Sequence, residues 1–216
     1  MLTVTAMKSA MTVVGVLVLV VFLLLVGGCG SYNRLNGLKQ TVDKSWADVQ
    51  NVYQRRADLI PNLVKTVEGA ANFEKGTLTQ VIQARQQVNT VKLDPNSAPT
   101  DPAALQRFQQ AQDGLSSALS RLLVVSEQYP DLKATAAFRD LQVQLEGTEN
   151  RISVERGRFN GAVQQYNTAV TSMPARLYAG AFGFAPKPYF TAREGSDVPP
   201  PVSFDLNTPA APKVEK

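Results

Sequence analysis

Two groups of charged side chains could carry chemistry in this sequence. The first is a run of glutamates with arginines between them: Glu146, Glu149, Arg151, Glu155, Arg156 and Arg158. Carboxylates on facing helices can hold two metal ions, but the ferritin-like version of that site pairs Glu with a histidine three residues on, and the chain has no histidine. We therefore expect no metal and no cofactor. The run should make ion pairs along a solvated helix face, for instance Glu155 with Arg158.

The second group is Arg55, Arg56 and Asp58, close to Pro61 and Asn62. These side chains could form a partner-binding corner or grip an anionic ligand. They could equally belong to a hydrated helix end, where polar residues satisfy the backbone groups that a proline frees. We expect the hydrated helix end, because charged residues are common at helix junctions, and keep the three as candidate partner-binding residues.

Composition excludes several classes of protein. Without histidine there can be no Ser-His-Asp or Cys-His relay and no histidine-ligated zinc or iron. The single cysteine cannot close an internal disulfide or form a CxxC pair. The 22 basic and 18 acidic side chains leave a net charge of +4, and no basic block is interleaved with aromatics. Nucleic acid is therefore not an expected partner.

The N-terminus predicts attachment to a membrane. Residues 11–26 form an uncharged apolar run that is followed by Gly27, Gly28 and the only cysteine, Cys29. As a helix the run spans roughly 24 Å, short of a bilayer core of about 30 Å. The run is typical of a signal peptide. With Val26, Gly27 and Gly28 as the cleavage flank, the site resembles the lipobox of bacterial lipoproteins and would place the lipid on Cys29. The alternative is an uncleaved membrane helix.

Prolines divide the rest of the chain into helical pieces. Proline-free runs cover residues 62–94, 103–129 and 131–173, and a fourth run lies between the anchor and Pro61, which either breaks or kinks a helix. Apolar residues recur every three or four positions in each run, and no alternating strand pattern of useful length is present. We predict an all-α fold, an elongated four-helix bundle with up-and-down topology, over residues 30–194 behind the anchor at residues 1–29. The proline-rich residues 195–216 are expected to be a disordered tail.

Aromatic side chains are dense just before that tail. Within fourteen residues lie Leu177, Tyr178, Phe182, Phe184, Tyr189 and Phe190. Such a cluster either caps the end of the bundle or forms an exposed docking patch. Capping is the expected role, and Phe182, Phe184, Tyr189 and Phe190 are the candidate partner-binding residues.

Several segments resemble the LemA family of bacterial membrane-anchored proteins. They are RRADLIPNLV at residues 55–64, EQYPDLKA at 127–134, LEGTENRI at 145–152, FNGAVQQYNTAV at 159–170 and FGFAPKPYF at 182–190. The resemblance implies a four-helix bundle with bromodomain-like topology on an N-terminal hydrophobic anchor. It implies no catalytic activity. One branch of the family is involved in forming membrane-bounded magnetic organelles.

The resulting hypothesis is a membrane-anchored, non-enzymatic scaffold or adaptor of the bacterial cell envelope. It would bind an unidentified envelope protein through its helical faces or its C-terminal aromatic segment, with the bundle outside the cytoplasm. The alternatives are an envelope enzyme that uses carboxylates only and a membrane-organising protein. Two buried acids in a cleft would favour the enzyme, whereas a continuous apolar core with all charges outside would favour the scaffold.

Overall fold

The computed structural model describes residues 2–70 and 73–192, with side chains at 11, at 14–19 and from residue 28 onward. The described chain is helical, and its helices are α1 (Leu2–Glu68), α2 (Lys75–Thr90), α3 (Pro102–Ser126), α4 (Pro130–Ala134), α5 (Ala136–Thr171) and α6 (Ala175–Ala179). The all-α prediction is confirmed. The tail predicted at residues 195–216 lies outside the described residues.

Helix α1 runs through Pro61 without a break. The expected boundary between the first two helices therefore lies at the turn that starts with Gly69, eight residues later, where the amide of Gly69 bonds back to the carbonyl of Lys65. Burial explains the continuity, since Ile60 and Leu63 on either side of the proline are both fully buried. Their packing offsets the hydrogen bond that proline removes. Helix α2 is shorter than expected as a result.

The four long helices alternate in direction. Two apolar clusters fill the core: a first cluster nearer the N-terminus, which includes Leu35, and a second one at the other end, which includes Leu63. Helices α1 and α3 pass from the first cluster to the second, whereas α5 starts in the second with Phe138 and finishes in the first with Val170. Helix α1 packs mainly against α5, and α2 packs mainly against α3. The bromodomain-like topology stays a prediction.

Local signals explain most of the remaining boundaries. Asp101 caps α3 as expected, accepting a hydrogen bond from the amide of Ala103 at 2.9 Å, with Pro102 in the first turn. The expected helix after Pro130 is interrupted, because Thr135 leaves the helical conformation and caps α5 with its hydroxyl. Met173, expected in the apolar stripe of that helix, lies beyond its end and is 68% exposed.

Candidate functional site

Arg56 lies at the centre of a polar layer that separates the two core clusters. Its side chain is 1% exposed. Nη1 donates to Oγ of Ser116 at 2.6 Å and to Oε2 of Glu149 at 2.8 Å, and Nη2 donates to both the carbonyl and the side-chain oxygen of Gln112. The hydrated helix end expected here is wrong for Arg56, since α1 continues past it and the neighbouring helices enclose it.

The polar layer connects three helices. Arg56 belongs to α1, Gln112 and Ser116 to α3, and Glu149 to α5. The hydroxyl of Ser116 also donates to Oε1 of Glu149 at 3.0 Å, so the carboxylate receives bonds on both oxygens. The buried guanidinium donates hydrogen bonds to α3 and α5 and so ties both helices to α1, and a shift of either helix would break these bonds. A cavity of about 250 Å³ lies beside this layer, lined by Leu145 and Glu146 among others.

The sequence predicted that Glu149 makes ion pairs along a solvated face of its own helix. In the structure Glu149 instead pairs with a residue of another helix. Its side chain remains 48% exposed, but its partner is the buried Arg56 of another helix. The expected pair between Glu155 and Arg158 is confirmed, with 2.7 Å between Oε1 and Nη1. Among the described residues no group of three or more acidic, cysteine or histidine side chains is placed to hold a metal ion.

Tyr53 packs one turn before the arginine and stays neutral. Burial raises the pKa of its hydroxyl from 10.0 to about 12, an effect that the positive charges of Arg156 and Arg56 reduce. The guanidinium carbon of Arg56 lies 5.2 Å from the ring centroid, a cation–π geometry. Tyr53 also packs edge to face on Phe108. The residue consequently belongs to the wall of the polar layer.

The chain after α6 runs back along the bundle as an extended segment, residues 184–192, which we call the C-terminal strap. Side-chain amides bind its backbone in pairs of hydrogen bonds. Asn167 accepts from the amide of Lys187 and donates to its carbonyl, both at 2.8 Å. Asn160 does the same with Phe190 at 2.9 Å, and Gln109 with Thr191. Each amide satisfies an N–H and a C=O that no helix or sheet satisfies.

Lys187 is the buried charge of the strap. Its side chain is 2% exposed, and Nζ donates to the carbonyl of Ala98 at 2.7 Å and lies 3.6 Å from Oδ1 of Asp43. Burial lowers the pKa of the Lys187 ammonium, and Asp43 opposes that shift. The amide of Ala98 donates to the same carboxylate oxygen at 3.0 Å. Asp43 thus joins α1 to the loop before α3 and to the strap.

The remaining predicted site residues divide by exposure. Arg55 and Asp58 are exposed on α1, and Asp58 accepts a hydrogen bond from Gln54.

The aromatic candidates also differ in exposure. Phe184 and Phe190 are buried in the first cluster, whereas Phe182 and Tyr189 are more than 40% exposed. Gly28 is buried against the ring of Tyr178, Cys29 is exposed, and the side-chain surroundings of Val26 and Gly27 lie outside the described residues. Phe184 packs beside Tyr32 at the end of the bundle, as capping requires, whereas Phe190 packs on Trp46 and Phe159 along its side. Partner binding stays a prediction for all four aromatics.

The N-terminal part of α1 stands apart from the bundle. Four consecutive side chains, Val16, Leu17, Val18 and Leu19, are each 55–63% exposed. In the part of the chain that the structure describes, no helix is both long and apolar enough to cross a membrane.

The fold is thus an all-α bundle that ties charged side chains into its interior, and its first helix continues into an apolar N-terminal segment. The sequence model of the LemA family matches residues 45–204. The chain belongs to the LemA family.

Three proteins that are similar to this chain share about a quarter of its residues. The chain is 26% identical over 183 residues to magnetosome protein MamQ of Magnetospirillum gryphiswaldense, which covers 78% of this chain and 67% of the relative. Magnetosome protein MamQ 2 of Paramagnetospirillum magneticum is 25% identical with the same coverage. Protein LemA of Metamycoplasma hominis is 26% identical over 149 residues, 69% of this chain and 60% of the relative. None of these three names describes a catalysed reaction.

Proposed function

We propose that this protein is a membrane-anchored, non-enzymatic scaffold or adaptor of the bacterial cell envelope. The observation that carries the proposal is the unpartnered apolar segment of α1. Consecutive helical residues point about 100° apart, so the four exposed apolar side chains at residues 16–19 surround the helix on every side. A helix that is apolar all round belongs in an apolar environment, which a bilayer or the secretion machinery provides.

Lipid attachment at Cys29 is the form of anchoring that we propose. The cysteine is exposed and directly follows Gly27 and Gly28, small residues that suit a cleavage site, and the apolar run before it has the length of a signal peptide. The mature protein would then start at Cys29, with α1 leading directly from the lipid into the bundle outside the cytoplasm. The alternative is a single-pass inner-membrane protein that keeps residues 1–28.

The paired state of the inner carboxylates supports a scaffold over an enzyme. Asp43, Asp113 and Glu155 have side chains less than a quarter exposed, and each lies within 4.0 Å of a basic side chain. A glycosidase, the common kind of enzyme that works with carboxylates alone, needs two acids flanking one substrate bond. The arrangement around Arg56 instead has one carboxylate, Glu149, held by a guanidinium and a hydroxyl. Such contacts stabilise a fixed shape for binding.

Labelling with palmitate tests the anchor. The wild-type protein from cells grown with labelled palmitate should carry the label, and the Cys29→Ser variant should not. Mass spectrometry of the wild-type protein should find Cys29 as the mature N-terminus. An unlabelled, unprocessed chain in the membrane fraction would leave the single-pass alternative. A wild-type chain recovered unlabelled in the soluble fraction would contradict membrane anchoring altogether.

Photocrosslinking in intact cells tests the scaffold. A photoreactive residue at Arg55 or Tyr189, both exposed and both at candidate partner-binding positions, should yield a discrete adduct with an envelope protein. The matched control is Val143, which is 68% exposed on the outer surface of α5 and is not one of the predicted partner-binding residues. Adducts of the same pattern and yield from all three positions would indicate random collision and would contradict a specific surface.

A further inference from the structure

Exposed apolar side chains are concentrated at the anchor end of the bundle. We define the anchor-end patch as Tyr32 of α1, Met173, Leu177 of α6 and Phe182 of the turn that follows. Their exposed fractions are 42%, 68%, 63% and 44%. Large apolar side chains exposed in the same region of a protein can mark an interaction site.

The patch is built directly onto the start of the bundle. Tyr32 packs edge to face on Phe182, with ring centroids 5.3 Å apart, and Tyr178 stacks on the other side of Phe182 at 6.4 Å. The ring of Tyr178 lies against Gly28, where an added Cβ would be 3.6 Å away. The turn closes at Gly183, whose φ of +74° favours glycine. The patch therefore begins at the same turn of α1 as Cys29.

The exposed charges at this end are basic, and the neighbouring carboxylate of Asp43 is paired with Lys39 and Lys187. Residues 28–42 and 172–192 contain Arg34, Lys39, Arg176 and Lys187 and no aspartate or glutamate. Lys187 is buried, but Arg34 and Arg176 are exposed. Aromatic side chains combined with exposed basic ones are typical of protein surfaces that lie in the headgroup region of a membrane carrying anionic lipids.

We propose that the anchor-end patch lies in the headgroup layer of an anionic phospholipid bilayer and fixes the bundle against the membrane. The inference rests on the membrane anchor of the proposed function, because the anchor brings this end of α1 to the bilayer. Leu177, Met173 and Phe182 insert their apolar side chains, and Arg34 and Arg176 contact lipid phosphates. The bundle is then held by two attachments, the anchor and the patch.

Fluorescence quenching by lipid tests this inference on the full chain. The protein is reconstituted into vesicles of phosphatidylcholine with phosphatidylglycerol that carry doxyl-labelled lipid near the headgroups. Leu177→Trp is compared with Val143→Trp, because both positions are similarly exposed and Val143 lies in the opposite half of the bundle. The native Trp46, which is 0% exposed, gives the same background in both variants. The emission of Leu177→Trp should shift to the blue and be quenched, and that of Val143→Trp should do neither.

Flotation of the same vesicles tests the membrane anchor independently of the anchor-end patch. Floating protein in which both variants are quenched equally, or in which neither is quenched, would overturn the patch while the anchor stands. Protein that does not float would overturn both. The quenching of Leu177→Trp should also decrease when phosphatidylcholine is the only lipid. Equal quenching in the two kinds of vesicle would overturn the assignment to anionic lipid.

Discussion

Arg56 and Glu149 are 93 residues apart in the sequence, and Nη1 of the arginine donates to Oε2 of the glutamate at 2.8 Å. The bond joins α1 to α5 in the polar layer between the two core clusters. Because the arginine is buried and the glutamate is half exposed, the two partners are not equivalent. Removing the glutamate leaves a buried cation, whereas removing the arginine leaves a carboxylate that water can solvate.

Glu149→Ala should lower the free energy of unfolding by about 1–3 kcal/mol, the usual cost of leaving a buried hydrogen-bonding group without its partner. The value stays below that of a fully buried ion pair because solvent reaches Glu149 and Arg56 keeps Ser116 and Gln112. Glu146 lies on the same helix, and among the described residues its hydrogen-bond partner is Gln142, so Glu146→Ala should cost less than about 1 kcal/mol. Urea denaturation followed by circular dichroism measures both; equal losses would refute the difference.

The Arg56 and Glu149 changes should be strongly non-additive. Arg56→Met keeps the volume of the side chain and removes the charge, so Glu149→Ala in that background should cost little. The coupling energy from the double-mutant cycle is expected to be about 0.5–3 kcal/mol. A cycle built from the same unfolding curves would contradict a direct interaction if the two losses simply added.

The position of Arg56 shows where sequence reasoning reached its limit. The apolar stripe of α1 steps through Val49, Tyr53, Ile60 and Leu63, and Arg56 occupies the position between them that the spacing of three and four requires. That spacing was a signal for burial. The expectation of a hydrated helix end beside Pro61 outweighed that signal and made Arg56 a solvated residue. Tertiary packing on both sides of the proline decided the outcome, and local propensity does not contain that information.

Leu145→Ala should lower the free energy of unfolding by about 2–5 kcal/mol, because the side chain is only 6% exposed in the second core cluster and truncation leaves a cavity. Val143→Ala provides the control on the same helix, where the side chain is 68% exposed and the expected change is within about 0.5 kcal/mol. Thermal melts of the two variants rank them. Reversed ranks would mean that the apolar stripe of α5 is not the core.

Asn167→Ala should release the start of the C-terminal strap. The substitution removes both hydrogen bonds to the backbone of Lys187, and hydrogen exchange at the amides of Lys187 and Phe190 should accelerate. Gln144→Ala, at an exposed position in the other half of the same helix, should leave these rates unchanged. Unchanged protection in Asn167→Ala would show that apolar packing alone holds the strap.

The sequence pattern does not predict the C-terminal strap, although it singles out the aromatic residues of the strap. Residues 184–192 have no helical or strand period, and their backbone is satisfied by side chains about 20 to 80 positions away. Asn160 and Asn167 are spaced by two helical turns on α5, which could have indicated a ladder of amides. The sequence did not show what the ladder binds, because that depends on how the chain turns at Gly183.

The burial of Tyr53 predicts a loss of stability at alkaline pH. The pKa of its hydroxyl is about 12 in the folded chain, against the ordinary value of 10.0 that applies to the unfolded chain. The raised value contributes stability that is fully present below pH 10 and is lost as the pH rises to 12, roughly 3 kcal/mol in all. Melting temperatures should therefore fall across this interval, and Tyr53→Phe should fall less. Tyr189→Phe, at a position 43% exposed, should behave like the wild type; a Tyr53→Phe curve that matches it would contradict the assignment.

The central claim is that a membrane holds the bundle through the N-terminal end of α1, and extraction of isolated membranes with alkaline carbonate tests it most directly. The wild-type chain should remain in the pellet, whether lipid on Cys29 or an uncleaved helix attaches it. A variant with Leu17→Asp and Leu19→Asp, which places charge within the apolar segment, should be lost from the pellet. Wild-type protein released into the carbonate supernatant as completely as the variant would contradict the account.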